Sequence, residues 1–265
     1  MRASGILLPI SSLPSKYGIG CFSESAYQFV DQLKEAGQKY WQILPLGPTS
    51  YGDSPYQSFS AVAGNTHLID FDLLTQMGLL KESDYASVNF GDDPTSVDYE
   101  RIFYARRPIL ETAVKNFLAN QSFQADFKHF EKSNRLWLDD FAEFMAIKEH
   151  FGNQALQKWD DKKAVARDPS ALEKYRILLA DQIQYFKVTQ YFFFKQWSEL
   201  KHYANQKGIK IIGDMPIYVA ADSVEVWTKP ELFQLDEERN PLFVAGVPAD
   251  QFSATGQLWG NPLYA

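Results

Sequence analysis

A chain of 265 residues with 45% hydrophobic and 22% charged side chains has enough material for a sizeable core and is ordinary for a globular protein. Its formal charge of −7 argues against a phosphate-binding surface, which would concentrate Lys and Arg, and so against a nucleic-acid partner. The single cysteine, Cys21, excludes an internal disulfide, and with only four scattered histidines it gives no metal-ligand spacing.

The first element in chain order is an apolar strand at residues 5–10. Its run Ile6-Leu7-Leu8, stopped by Pro9, is too short for a signal-peptide core. Nowhere does an apolar run reach the length of a membrane helix, so the sequence predicts a cytoplasmic protein with no membrane partner. Ser23 then caps a helix in which Ala26, Phe29, Val30 and Leu33 follow i, i+3, i+4, i+7 spacing, and Gly37 ends it. Residues 40–46, YWQILPL, form the second strand. Strand, helix and strand at this spacing make a βαβ unit, which requires parallel strands.

Residues 47–66 are turn chemistry, with Gly47-Pro48, Gly52-Asp53-Ser54-Pro55 and Gly64-Asn65. From about 101 to 207 the pattern is mostly helical, broken near 120–124, at Gly152-Asn153 and at Asp168-Pro169. The last helix keeps Leu179, Ile183, Phe186, Phe193, Trp197 and Leu200 on one face, and Gly208 stops it. Residues 209–213 are the third strand. More than 150 residues separate it from the second, far beyond an ordinary crossover, so a helical insertion of about 100 residues interrupts an α/β framework.

Three stretches carry candidate chemistry. Asp214 follows the third strand, where a (β/α) barrel builds its polar site, and its carboxylate is suited to accept from substrate hydroxyls. A turn-forming or helix-capping aspartate fits the same pattern. The turn at 51–59, YGDSPYQSF, follows the second strand and in a barrel lies on the same face as Asp214. Packed tyrosines are the plainer account of it. Residues 245–260 read as a glycine-hinged lid in which Phe252 and Trp259 cover a ligand. Aromatic residues make up 15% of the chain, and most belong to the core. Those set among Gly, Ser, Asp and Pro instead pair flat apolar faces with hydrogen-bonding groups, as a sugar ring requires. The four histidines lack a Ser or Cys partner pattern and read as structural.

At these residues the chain resembles the 4-α-glucanotransferases known as amylomaltases or disproportionating enzymes. The matching segments are SSLPSKYGIG (11–20), YWQILPLGPTSYGDSPYQSFSAVAGN (40–65), IIGDMPIYVAADSVEVW (211–227) and VAGVPADQFSATGQLWGNPLY (244–264). The resemblance implies an α/β fold, the N-terminal part of a (β/α)8 TIM barrel with about three of its eight strands. Residues 1–265 then form an incomplete catalytic barrel domain, with a mostly helical inserted subdomain at about 100–170. It also implies transfer of α-1,4-glucan segments between maltooligosaccharides by a retaining double displacement, without metal or organic cofactor. By the family's motif, Ser54, Tyr56, Asp214, Gln257 and Trp259 contact substrate and Phe252 is a lid residue. Tyr51 with Tyr104 makes a secondary glucan site.

The family's nucleophile, acid/base and third carboxylate lie on later strands, beyond WGNPLY. The resemblance therefore implies a fragment with no catalytic residue of its own, inactive in isolation. A self-sufficient α-glucan-binding module and an α-glucan hydrolase are the readings that compete with the transferase. The oligomeric state is not legible.

Overall fold

The computed structural model describes residues 2–49 and 52–265. Tyr51 lies outside the described residues. In chain order the elements are β1 (Gly5–Leu7), α1 (Glu24–Glu35), β2 (Tyr40–Gln42), α2 (Phe71–Gln76), α3 (Tyr99–Ala119), α4 (Gln124–His150), α5 (Lys162–Val165), α6 (Pro169–Leu178), α7 (Ala180–Gln206), β3 (Lys210–Ile212), α8 (Val224–Thr228), β4 (Val244–Val247) and β5 (Gln257–Pro262).

Two compact units result. The first comprises residues up to Leu46, Gly64–Ser133 and Val188–Met215. Its centre is a parallel sheet in the order β1-β2-β3, with Gly5 opposite Tyr40 and Tyr40 opposite Lys210. The strands are shorter than the apolar runs that announce them. Pro9 has no N–H to donate, and the chain turns into a 3-10 segment at Ile10–Ser12; β2 stops ahead of Pro45. Alternation puts Ile6, Trp41 and Ile211 on one face and Leu7, Gln42 and Ile212 on the other. Trp41 is buried, meeting Phe29 of α1 edge-on at 5.1 Å and donating its indole N–H to the Leu8 carbonyl at 2.8 Å. Leu7, Gln42 and Ile212 are exposed.

Ser23 is the N-cap of α1, although its hydroxyl makes no capping bond. The break at 120–124 is a 3-10 turn capped by Asn120, whose side chain accepts from Ser122 N. Leu179, expected inside the last helix, instead occupies the joint between α6 and α7. Two glutamines of α7 read main chain as a strand would. Gln190 exchanges hydrogen bonds with Gly64 N (2.7 Å) and O (2.9 Å), and Gln196 does the same with Asp70 N (2.8 Å) and O (3.0 Å).

The second unit comprises Gly47–Ala63, Asn134–Lys187 and Pro216–Ala265. Its core is aromatic. Phe144, Trp159 and Trp227 meet at 5.6–6.2 Å, and Trp227 donates to the Ala164 carbonyl at 2.9 Å while Arg167 stacks over its ring at 4.2 Å. Residues 245–260, expected as one long loop, contain a paired hairpin. β4 and β5 run antiparallel, with Gly246 opposite Leu258 and a register shift between Val244 and Gly246. The loop proper is confined to 248–256.

Candidate functional site

Asp214 lies in the first unit, two residues past the end of β3, and is exposed. It lines a cavity of about 270 Å³ whose walls include Ile43, Leu46 and Ile211 from the strand ends and Trp197 and Lys201 from α7. The cavity thus has an apolar floor, one aromatic ring, one ammonium and one carboxylate. Tyr104 stands on α3 of the same unit with 68% of its surface exposed and its ring edge-on to Phe103 at 5.2 Å.

The other candidates belong to the second unit. Ser54, Pro55, Tyr56 and Gln57 form a turn closed by Gln57 N donating to the Ser54 carbonyl at 3.1 Å. The Ser54 hydroxyl accepts from Tyr56 N at 3.3 Å, which leaves the Tyr56 ring on the surface. The preceding residue, Asp53, has φ 55°, a left-handed conformation that a short polar side chain tolerates. Burial raises its carboxyl above the usual range.

Gln257 and Trp259 lie on β5, next to this turn. Gln57 Nε2 donates to the Trp259 carbonyl and to Asn261 Oδ1, each at 2.8 Å. The Trp259 indole N–H goes to Gln257 Oε1 at 2.9 Å. Ser54, Tyr56, Gln257 and Trp259 are therefore brought together. Trp259, 44% exposed, shows a ring fastened at its edge and open to solvent. Phe252 projects from the β4–β5 loop with 84% of its surface exposed. Asp250 ties that loop, accepting from Phe252 N and Ser253 N at 2.8 Å each. Gly256 closes it at φ 74°, where a Cβ would stand 2.4 Å from the Val247 carbonyl.

Charge paired within the second unit escaped the sequence reading. The Lys148 ammonium, 1% exposed, pairs with Asp222 and donates to the carbonyls of Asn153 (3.1 Å) and Gln154 (2.9 Å). It also sits 4.9 Å from the Phe59 ring centroid. Glu225 Oε1 accepts from Ala61 N at 2.8 Å and from the Ser60 hydroxyl at 3.3 Å, and burial pushes its carboxyl up. Asp139 pairs with Lys187 at 2.5 Å and Asp140 with Arg167 at 2.7 Å. No spacing rule finds such pairs, because their members lie far apart in sequence. Among the described residues no cluster of His, Cys, Asp and Glu is arranged to hold a metal ion, and no helix is long and apolar enough to cross a membrane.

Fold and surface together define an α/β protein that displays an aromatic, hydrogen-bonding face. The chain belongs to the 4-alpha-glucanotransferase family, whose family model matches residues 8–265. It is 59% identical to the 4-alpha-glucanotransferase of Streptococcus pneumoniae over 99% of its own length and 52% of that protein's. The Clostridium butyricum 4-alpha-glucanotransferase is 52% identical over 96% of this chain and 52% of its own. Among solved structures, the amylomaltase from Streptococcus agalactiae in complex with acarbose superposes with a TM-score of 0.97 at 63% identity, covering 100% of this chain and 53% of that one. The chain spans about half the length of the curated relatives it matches.

Proposed function

We propose that these residues form the substrate-binding part of a 4-α-glucanotransferase that moves α-1,4-glucan segments between maltooligosaccharides. In this reading β1, β2 and β3 begin a (β/α)8 barrel, and the helices between β2 and β3 include an inserted subdomain at about 100–170. Ser54, Tyr56, Asp214, Phe252, Gln257 and Trp259 contact the glucan, and Tyr104 with Tyr51 forms a secondary glucan site. The nucleophile and acid/base of the retaining double displacement are supplied by other residues than these 265.

The observation that carries the reading is the likeness, along the whole chain, to an amylomaltase solved with acarbose. The local chemistry agrees with it. Trp259 and Tyr56 present apolar ring faces, and Asp214 accepts charge-assisted hydrogen bonds from sugar hydroxyls, stronger than neutral ones.

Calorimetric titration of the purified 265-residue chain with acarbose, alongside glucose release from maltotriose, tests this. The chain should bind acarbose and release no glucose. Asp214→Asn and Trp259→Ala should each weaken binding about tenfold, the loss of one good contact. Absence of binding would overturn the glucan reading, and sustained glucose release would overturn the assignment of catalysis to other residues.

A further inference from the structure

We propose that Gln57 and Asn261 are positioning residues whose two carboxamides set the Trp259 ring for a glucan. The inference rests on the glucan-binding reading and adds to it a device that touches no sugar. Gln57 Nε2 reaches the Trp259 carbonyl and Asn261 Oδ1 at 2.8 Å each, across 202 and 204 residues of sequence. A main-chain carbonyl only accepts, so Gln57 must turn its NH2 toward β5 and commit both hydrogens there. Asn261 in turn presents its oxygen to Gln57 and sends its own NH2 to the Val219 carbonyl at 2.8 Å. Acceptor-only neighbours at both ends fix both amide orientations, leaving no alternative flip.

Asn261 is 4% exposed, so its bonds are made away from water. Removing the donor at Gln57 strands an inward-facing acceptor on Asn261, and a buried polar group without a partner is costly. The same Gln57 closes the turn that carries Ser54 and Tyr56. One side chain thus locks that turn to the strand that carries Gln257 and Trp259. Trp259 is held at two points: its main-chain carbonyl accepts from Gln57, and its indole N–H donates to Gln257. A ring set in advance spares the ligand the ordering of turn and strand, and preorganisation of this kind raises affinity without new contacts.

The test is a double-mutant cycle read by acarbose titration, together with the indole ¹H–¹⁵N cross-peak of Trp259, assigned through its disappearance in Trp259→Phe. Gln57→Leu should weaken acarbose binding about tenfold, as for the loss of one hydrogen bond. In a Trp259→Ala background the same change should weaken it less than about twofold, because coupled residues are non-additive. The Trp259 cross-peak should shift in Gln57→Leu while those of the other five tryptophans stay in place. Equal weakening in both backgrounds, or an unmoved cross-peak, would overturn the proposal. Should Gln57→Leu fail to fold, Gln57→Asn keeps the carboxamide but falls one methylene short of two acceptors, and it gives the same readouts. If the unsubstituted chain binds no acarbose, the glucan reading fails, and the cross-peak alone decides whether Gln57 positions the ring.

Discussion

The imidazole of His67 sits in the first unit, where burial and the nearby Arg106 guanidinium push it down to about 3. The folded protein therefore keeps this ring neutral at pH values where the unfolded chain, with an ordinary histidine near 6.5, takes up a proton. Its contribution to stability is complete above pH 6.5 and is lost as the pH falls toward 3. By pH 4.5 the loss should reach about 2–3 kcal/mol. Urea unfolding at pH 7 and pH 4.5 checks this, since His67→Gln should lose distinctly less on acidification than the parent. An equal acid loss in both proteins would mean that the ring is solvated. Lys148 poses the opposite problem, because a buried ammonium must keep its charge. Burial pushes it down and the Asp222 carboxylate holds it up, while two carbonyls take further hydrogens. That arrangement pins the chain after α4 to the stretch ahead of α8.

Helix α7 contributes to the first unit more through its glutamines than an amphipathic reading suggests. Gln190 and Gln196 each satisfy a donor and an acceptor of irregular main chain, as a neighbouring strand would. Close approach is the condition. A Cβ on Gly64 would meet the Phe193 ring at 2.1 Å, so Gly64→Ala must push the segment off α7 and break the Gln190 pair. We expect it to cost about 2–4 kcal/mol, a large overpacking effect, measured as a lower urea midpoint with an unchanged slope. A stability within about 0.5 kcal/mol of the parent would show that the contact yields freely. Long helices were legible in the sequence because their apolar spacing repeats over many turns. The parallel pairing of the first two strands was legible through the βαβ spacing, but each strand was read too long, since an apolar run does not reveal where Pro9 or Pro45 stops pairing. The β4–β5 hairpin was read as loop because VAGV and QLWGNP do not alternate and carry the glycines that usually mark turns. Asp214, Tyr56 and Trp259 were singled out as candidates by their setting beside strands and turns and by the family resemblance. Gln57 and Asn261 were missed, because what a carboxamide does depends on a partner about 200 residues away.

At the scale of the molecule, uncovered apolar surface is the leading feature. In the first unit Leu7 and Ile212 stand exposed on one face of the sheet, and in the second Leu242, Phe243 and Leu258 stand exposed around the hairpin. A sheet with open edges and bare apolar side chains invites strand addition and association. The 265-residue chain should therefore elute from a sizing column as oligomers or soluble aggregates whose share grows with concentration. Light scattering that gives a monomer mass, with cooperative thermal unfolding at every concentration, would contradict this.

The knot formed by Asp250 and Ser253 has a consequence for what Phe252 can gain from a ligand. Freezing a slack loop costs about 1–2 kcal/mol for each residue ordered. Spread over residues 248–256, that entropy would exceed anything one phenyl ring returns on contact. Here the Asp250 carboxylate and the Ser253 hydroxyl have already fixed the tip from within, the latter by donating to the Gly256 carbonyl at 2.7 Å. Phe252 is thus carried on a stiff paddle. Any swing is concentrated in the few dihedrals flanking the tip, and in the glucan contact proposed above nearly all of the ring's contact energy would remain for affinity.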